Sequence, residues 1–229
     1  MLNVFVGCDE TETVAFHVLA NSIRRHASVP VSITPIWLGN LNGIYRRPHD
    51  IRQSNGFSFS RFLVPYLCNY EGLAVFMDCD MLVRCDLWEL FNQFDPRHTV
   101  QCVQHDYVPK DSIKYLGNVQ YSYPRKNWSS LMLFNNKRCE LLTPEYVKEA
   151  PAADLHRMYW ADSIGELDAE WNWLVGEYEH NPDAKVLHWT VGGPWFNEYE
   201  RCDYAEDWYT ELKLMLQAEN KAQRLLNPY

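Results

Sequence analysis

The segment Leu73-Ala74-Val75-Phe76-Met77 is an unbroken apolar run that ends in two carboxylates one residue apart, Asp78 and Asp80. A continuous run of this length, rich in β-branched and aromatic side chains, reads as a strand covered on both faces of a sheet. Two carboxylates at the carboxyl end of such a strand are costly to bury unless something neutralises them. A divalent cation does so, and hard oxygen ligands at the rim of a sheet suit Mg²⁺ and Mn²⁺. The carboxyl ends of strands in open α/β sheets are also where ligands bind. Asp-x-Asp alone is a common triplet in so acidic a chain, and turn or helix-cap roles for Asp78 and Asp80 are the plain alternative. Its position directly after a hydrophobic strand is what marks it out.

The surrounding chain alternates between strand and helix patterns. Leu2 to Gly7 reads as a first strand, followed by Asp9 and Glu12 at capping-box spacing. Phe16, Leu19, Ala20 and Ile23 then recur at helical spacing up to Arg24-Arg25-His26, and Val31 to Leu38 gives a second strand. Strand, helix, strand in under about 40 residues is a βα unit and favours a parallel sheet. Residues 39–56 read as a loop long enough to be functional. Residues 57–70 read as a helix that Pro65 either kinks or opens. A short helix capped by Asp86, strands over 99–104 and 130–135, and a helix starting at Thr143-Pro144-Glu145 follow. The segment 105–127 is polar and aromatic without period. A last strand over 186–189 leads into a Gly-Gly-Pro turn. The chain then closes with an amphipathic helix carrying Trp208, Leu212, Met215 and Leu216 on one stripe. Without repeats or a linker, residues 1–229 are expected to form a single α/β domain.

Composition narrows the partners. The net charge is −9, with no basic tract of five or more residues, which argues against nucleic acid or an anionic membrane as a partner. An acidic chain can still bind a phosphorylated ligand, provided that a metal or a few placed cations reverse the local sign. The seven cysteines are scattered without C-x-x-C spacing and read as reduced residues. No apolar stretch approaches the length of a transmembrane helix, and the first residues run straight into a strand without a basic-then-apolar leader. The expectation is a cytoplasmic protein.

Four blocks together resemble a glycosyltransferase of the GT-A fold, and within it family 8, the group of glycogenin and bacterial galactosyltransferases. They are the opening strand ending at Asp9, Ser60-Arg61-Phe62-Leu63-Val64-Pro65-Tyr66-Leu67, Phe76-Met77-Asp78-Cys79-Asp80, and His188-Trp189-Thr190-Val191-Gly192-Gly193-Pro194-Trp195. The resemblance covers most of the chain and is weakest from about 90 to 125 and after 200. It implies a mostly parallel, Rossmann-like sheet flanked by helices, and transfer of a hexose from a nucleotide sugar, UDP-linked in this group, to a saccharide or other hydroxyl acceptor. It further implies that Asp78, Asp80 and His188 hold Mn²⁺ (or Mg²⁺) on the donor diphosphate. Asp9 would contact the nucleoside, Arg61 would lie by the nucleotide or the metal carboxylates, and Gly192 and Gly193 would admit a phosphate to backbone N–H groups. Each residue also has a simpler role open to it: His188 as a core histidine, Asp9 as a helix cap, Arg61 as a surface cation.

Two departures from the pattern stand out. Gly193 occupies the position where the family carries a phosphate-contacting lysine, so another cation is required, with Arg46, Arg47 and Lys126 as candidates. The family's Asn-x-Gly strand appears as Asn127-Trp128-Ser129-Ser130, without the glycine. Members of the family retain anomeric configuration, which requires either a carboxylate nucleophile or a same-face route in which the leaving phosphate takes the acceptor's proton. Asp162 is the candidate nucleophile, with Glu166 near it. Trp160, Trp171, Trp173 and Trp195 are candidates for stacking on a sugar. Two rival readings stay open. One is a haloacid-dehalogenase-type phosphatase, whose later Gly-Asp motif this chain lacks. The other is a catalytically silent nucleotide-sugar-binding domain, for which the missing lysine speaks.

Overall fold

The computed structural model describes residues 1–48, 53, 55–120 and 122–226, with side chains up to 217. Residues 49–52 and 54 of the loop expected over 39–56 lie outside the described residues. Strand β1 (Leu2–Gly7) passes through a 3-10 turn over Glu10–Glu12 into helix α1 (Thr13–His26), and the chain returns as β2 (Val31–Ile36), parallel to β1 along its length. Helix α1 buries Ala15, Val18, Leu19 and Ile23 and ends on Arg24, Arg25 and His26, cations suited to the negative end of a helix. Asp9 caps the 3-10 turn, its Oδ1 accepting from the Thr11 N–H at 3.0 Å. Glu12 departs from the capping-box expectation. Its carboxyl turns inward, 1% exposed, and accepts from the Tyr115 hydroxyl at 3.3 Å instead of the Asp9 backbone.

The segment 57–70 is not one helix. A 3-10 stretch over Ser60–Leu63 leads into α2 (Val64–Leu67), with Pro65 in its first turn, where the missing N–H is no loss. Next comes β3 (Leu73–Met77), in which Ala74, Val75, Phe76 and Met77 are fully buried, as a strand covered on both faces requires. β4 (Met81–Val83), α3 (Trp88–Asn92) and β5 (Val100–Val103) follow. The aperiodic region contains a small antiparallel hairpin, β6 (Ile113–Lys114) and β7 (Asn118–Val119). Then come β8 (Leu131–Asn135), α4 (Pro144–Glu149), α5 (Ala152–His156) and β9 (Ile164–Leu167), with Thr143 capping α4 at the Tyr146 N–H. β10 (Trp173–Leu174), β11 (Val186–His188) and α6 (Ala205–Leu226) complete the chain.

The central sheet has the order β2-β1-β3-β8-β5-β9. β8 pairs antiparallel with both β3 and β5, and the other pairings are parallel, so β8 runs against the remaining five strands. The carboxyl ends of β1 and β3 and the amino end of β8 therefore meet at one edge. A second sheet, β10-β11-β4, stands beside that edge. In it His188 pairs with Met81, and the Trp189 N–H donates to the Asp80 carbonyl at 2.9 Å, so strand register delivers His188 to Asp80.

A large core spans both faces of the main sheet. A smaller cluster of Val18, Leu82, Leu187, Trp189, Tyr204 and Trp208 fastens α6 and the second sheet to α1. On the α6 stripe Trp208 is buried and Leu212 and Met215 half-buried, whereas Leu216 faces solvent. The seven cysteines are all free. No helix among the described residues is long and apolar enough to cross a membrane.

Candidate functional site

Asp78, Asp80 and His188 meet at the shared sheet edge, each offering one ligand atom within 4.8 Å of the others. All three are buried, at 8%, 8% and 1% exposure. Asp78 Oδ1 and Asp80 Oδ1 have no hydrogen bond, although Arg61 Nη1 lies 2.8 Å from the first and His188 Nε2 3.3 Å from the second. Arg61 Nη1 instead donates to the Ser129 carbonyl at 2.8 Å. The ring of His188 is held from behind: Nδ1 lies 2.9 Å from Asn172 Oδ1, while Asn172 Nδ2 donates to Ser130 Oγ at 2.8 Å. An amide oxygen accepts only, so Nδ1 carries a proton and Nε2 is left facing the Asp80 carboxylate, where a metal ion can take the place of a proton. Two buried carboxylate oxygens without hydrogen bonds, beside an imidazole nitrogen, form a ligand set that a divalent cation would satisfy. Two carboxylates plus one imidazole suit Mn²⁺.

Arg61 shares the burial. Its guanidinium packs over the rings of Phe57 and Phe76 at 5.3 and 5.0 Å. Burial pushes Asp78 up to about 6, opposed by Arg61 and reinforced by Asp80. Glu12, behind the pair, is pushed up to about 8 by burial first and then by Asp80 and Asp9. In the absence of a cation, this corner of the sheet carries more carboxylate than its surroundings neutralise.

A cavity of about 310 Å³ opens from the cluster. Lys114 and Lys126 line it together with Arg61, and Ser129, His156 and Arg157 line it as well. His156 shares a 3.0 Å hydrogen bond with Ser129 Oγ and packs against Phe59 and Phe62. Burial holds its imidazole down at about 3, so it stays neutral. Among the described lining residues, Asp78 and Asp80 are the carboxylates.

Other residues singled out in the sequence stand apart from this cavity. Asp9 lies at the same sheet edge, but its oxygens are taken by Thr11 and by the Gly56 N–H at 2.8 Å. Burial alone would raise its carboxyl, and these hydrogen bonds bring it below its ordinary value. Gly192 and Gly193 do not line the cavity; they are small because aromatic rings fill the space beside them. A Cβ on Gly193 would sit 2.1 Å from the Trp195 ring, and one on Gly192 2.6 Å from Tyr199. Asp162 is separated from the cluster: its side chain is 67% exposed, accepts from Arg138 at 2.7 Å and bonds Thr99. Glu166 projects outward from β9. Trp160 and Trp171 are buried, and Trp173 and Trp195 pack on neighbouring rings; none of the four lines the cavity. Arg47 donates to the carbonyls of Val147 and Ala150, and Arg46 is exposed. Of the three cations suggested for the missing lysine, Lys126 lines the cavity. Lys114, Asn172 and His156 belong to no motif with distinctive spacing, whereas Ser129 lies in the segment Asn127-Trp128-Ser129-Ser130 noted in the sequence.

No family model matches the sequence. The chain is 42% identical over 221 residues to Protein CDI of Arabidopsis thaliana, an alignment covering 92% of this chain and 85% of that one. Among solved structures it is similar to the glycosyltransferase GlyE of Streptococcus pneumoniae TIGR4, with a TM-score of 0.62 and 15% identity, covering 97% of this chain and 65% of that one. It is also similar to the galactosyltransferase LgtC in complex with donor and acceptor sugar analogs, with a TM-score of 0.58 and 12% identity, covering 92% and 95%. A third similarity is to the WbbM bifunctional glycosyltransferase, with a TM-score of 0.54 and 16% identity, covering 92% and 51%. The chain thus spans about half the length of WbbM and just under two thirds of GlyE. At these identities the likeness is one of fold, and the fold is the GT-A-like α/β arrangement that the four sequence blocks imply.

Proposed function

The chain belongs to the same family as Arabidopsis Protein CDI, and from that footing and the site's geometry we propose that it is a metal-dependent glycosyltransferase of the family 8 type. It moves a hexose from a UDP-linked donor to a saccharide or other hydroxyl acceptor. The observation that carries this reading is the set Asp78, Asp80 and His188, whose orphaned carboxylate oxygens and back-bonded imidazole fit a Mn²⁺ or Mg²⁺ ion at the mouth of a cationic cavity. When bound, such an ion supplies Lewis-acid neutralisation of a diphosphate. The remaining work falls to the chain's own residues. Arg61 fixes Asp78, Asn172 fixes His188, and the lining cations draw an anionic donor into an otherwise acidic protein.

The transfer retains anomeric configuration by the same-face route. An inverting reaction needs a base aimed at the acceptor hydroxyl, and a double displacement needs a nucleophilic carboxylate. Among the described lining residues Asp78 and Asp80 belong to the proposed cation site, and His156, with a value near 3, is a poor base. In the same-face route the bond from the anomeric carbon to the phosphate oxygen breaks while the acceptor oxygen bonds to that carbon. The acceptor's proton passes to the leaving phosphate, so the protein supplies position and charge. A phosphatase reading asks Asp78 to be a free nucleophile, whereas Arg61 clamps it.

Titration with UDP, UDP-glucose and UDP-galactose, with and without Mn²⁺, tests the proposal. Binding that requires Mn²⁺, followed by release of free sugar or its transfer, is the expected result. Absence of binding to all three in Mn²⁺ would sink it, and tight binding without turnover would favour a silent binding domain.

A further inference from the structure

Cations and carboxylates share the cavity wall. Arg61, Lys114, Lys126 and Arg157 line it against Asp78 and Asp80, in a chain whose net charge is −9. Arg61 is committed to Asp78 and to the Ser129 carbonyl. Lys114 reaches the cavity by an unusual route, from the first strand of the two-residue hairpin β6–β7. Such a hairpin is too short to hold itself together, and its Ile113, Leu116 and Val119 are 59%, 65% and 55% exposed. Its anchor is the neighbour of Lys114. The Tyr115 N–H donates to the Val191 carbonyl at 2.8 Å, its hydroxyl donates to the buried Glu12 carboxyl at 3.3 Å, and its ring stacks on Phe196 with centroids 4.8 Å apart. The Lys114 ammonium lies 5.5 Å from the centre of the Tyr115 ring. Burial lowers its proton affinity, while Asp80, Glu12 and Asp78 pull the other way.

A hairpin that exposes apolar side chains yet is pinned at three points around one tyrosine is well explained as a bracket for the residue beside that tyrosine. The position normally given to a phosphate-binding lysine in the resembled family is closed in this chain, because the Trp195 ring fills the space next to Gly193. We infer that Lys114, carried on the β6–β7 hairpin and seated through Tyr115 on Glu12, contacts the donor diphosphate. The inference rests on the nucleotide-sugar reading above. A diphosphate gains a further negative charge as its bond to the sugar breaks, so a fixed ammonium at this place favours the departing nucleotide over the intact donor.

The test titrates UDP and UMP, in Mn²⁺, into the wild-type protein, Lys114→Met and Lys114→Arg, with a Mn²⁺ titration and a melting curve for each. Losing one charge-assisted contact weakens UDP binding by roughly tenfold to a hundredfold. UMP binding, Mn²⁺ affinity and melting temperature stay near wild type, and Lys114→Arg recovers most of the UDP affinity. UDP affinity unchanged in Lys114→Met, or lost equally for UDP and UMP, overturns the assignment of Lys114 alone. If the wild-type protein binds neither nucleotide in Mn²⁺, the donor-site reading fails and this inference falls with it.

Discussion

Nε2 of His188 faces Oδ1 of Asp80 at 3.3 Å, and it does so because the two residues flank paired strands: His188 stands opposite Met81, and the Trp189 N–H is bonded to the Asp80 carbonyl. The distance is set by backbone pairing rather than by two side chains finding each other. A site built this way is organised before any cation arrives, which keeps the entropic penalty of binding low.

The amide that holds His188 should matter as much as a ligand. Asn172→Ala removes the acceptor at Nδ1 and frees the ring to change tautomer. Mn²⁺ affinity should fall by about 10- to 100-fold, and stability by about 1–3 kcal/mol, because Asn172 is fully buried. Metal titration and urea unfolding measure the two effects separately. Full metal affinity in this variant would remove His188 from the ligand set.

The two aspartates should differ when mutated. Asp78→Ala strands the Arg61 guanidinium, which is 5% exposed, and should lower stability by about 3–5 kcal/mol. Asp80→Asn removes one of three crowded carboxylates and strands no cation. Its melting temperature in EDTA should equal or exceed that of the wild type, while Mn²⁺ binding is lost. Equal destabilisation of both variants would contradict the pairing described.

Placing at position 193 the lysine of the resembled family should do harm. In Gly193→Lys the new Cβ meets the Trp195 ring at 2.1 Å, so the surrounding turn must shift. Overpacking of this kind destabilises by about 1–3 kcal/mol. Thermal melts read the loss directly, and a stable variant that binds UDP more tightly would count against the packing explanation.

Glu12 supplies a pH signature. Its carboxyl holds its proton to about pH 8 in the folded chain, against an ordinary value of 4.5 once unfolded. Between those values the unfolded chain binds fewer protons, so stability falls as pH rises. Glu12→Gln keeps an acceptor for Tyr115 and removes the titration. In EDTA the variant's melting temperature should exceed that of the wild type by a margin that widens from pH 5 to pH 8. Parallel profiles would contradict the burial of an unneutralised carboxyl.

The parts of this fold that were legible in the sequence are those in which one local pattern decides the outcome. The run Leu73–Met77 reads as a covered strand and forms one, and Pro65 does open a helix, though that helix is α2 alone rather than the whole of 57–70. Other parts depend on distant partners. Glu12 has the spacing of a surface cap, but Tyr115, 103 positions away, accompanies it inward. Strand β9 is hidden by Gly165, placed where a Cβ would strike His98, and by the outward Glu166. Asp162 and Asp78 are both carboxylates beside apolar strands, and only tertiary structure shows that Arg138 takes one at the surface while Arg61 takes the other inside. Lys114 sits in a hairpin of two-residue strands, too brief for any periodicity to register.

The most direct measurement is a crystal structure with Mn²⁺ and UDP, collected for anomalous scattering at the manganese edge. A manganese peak within bonding distance of Asp78, Asp80 and Nε2 of His188, with the diphosphate on its open side, is the predicted result. Bound UDP with no manganese there, or manganese held elsewhere, would contradict a metal-bridged donor site.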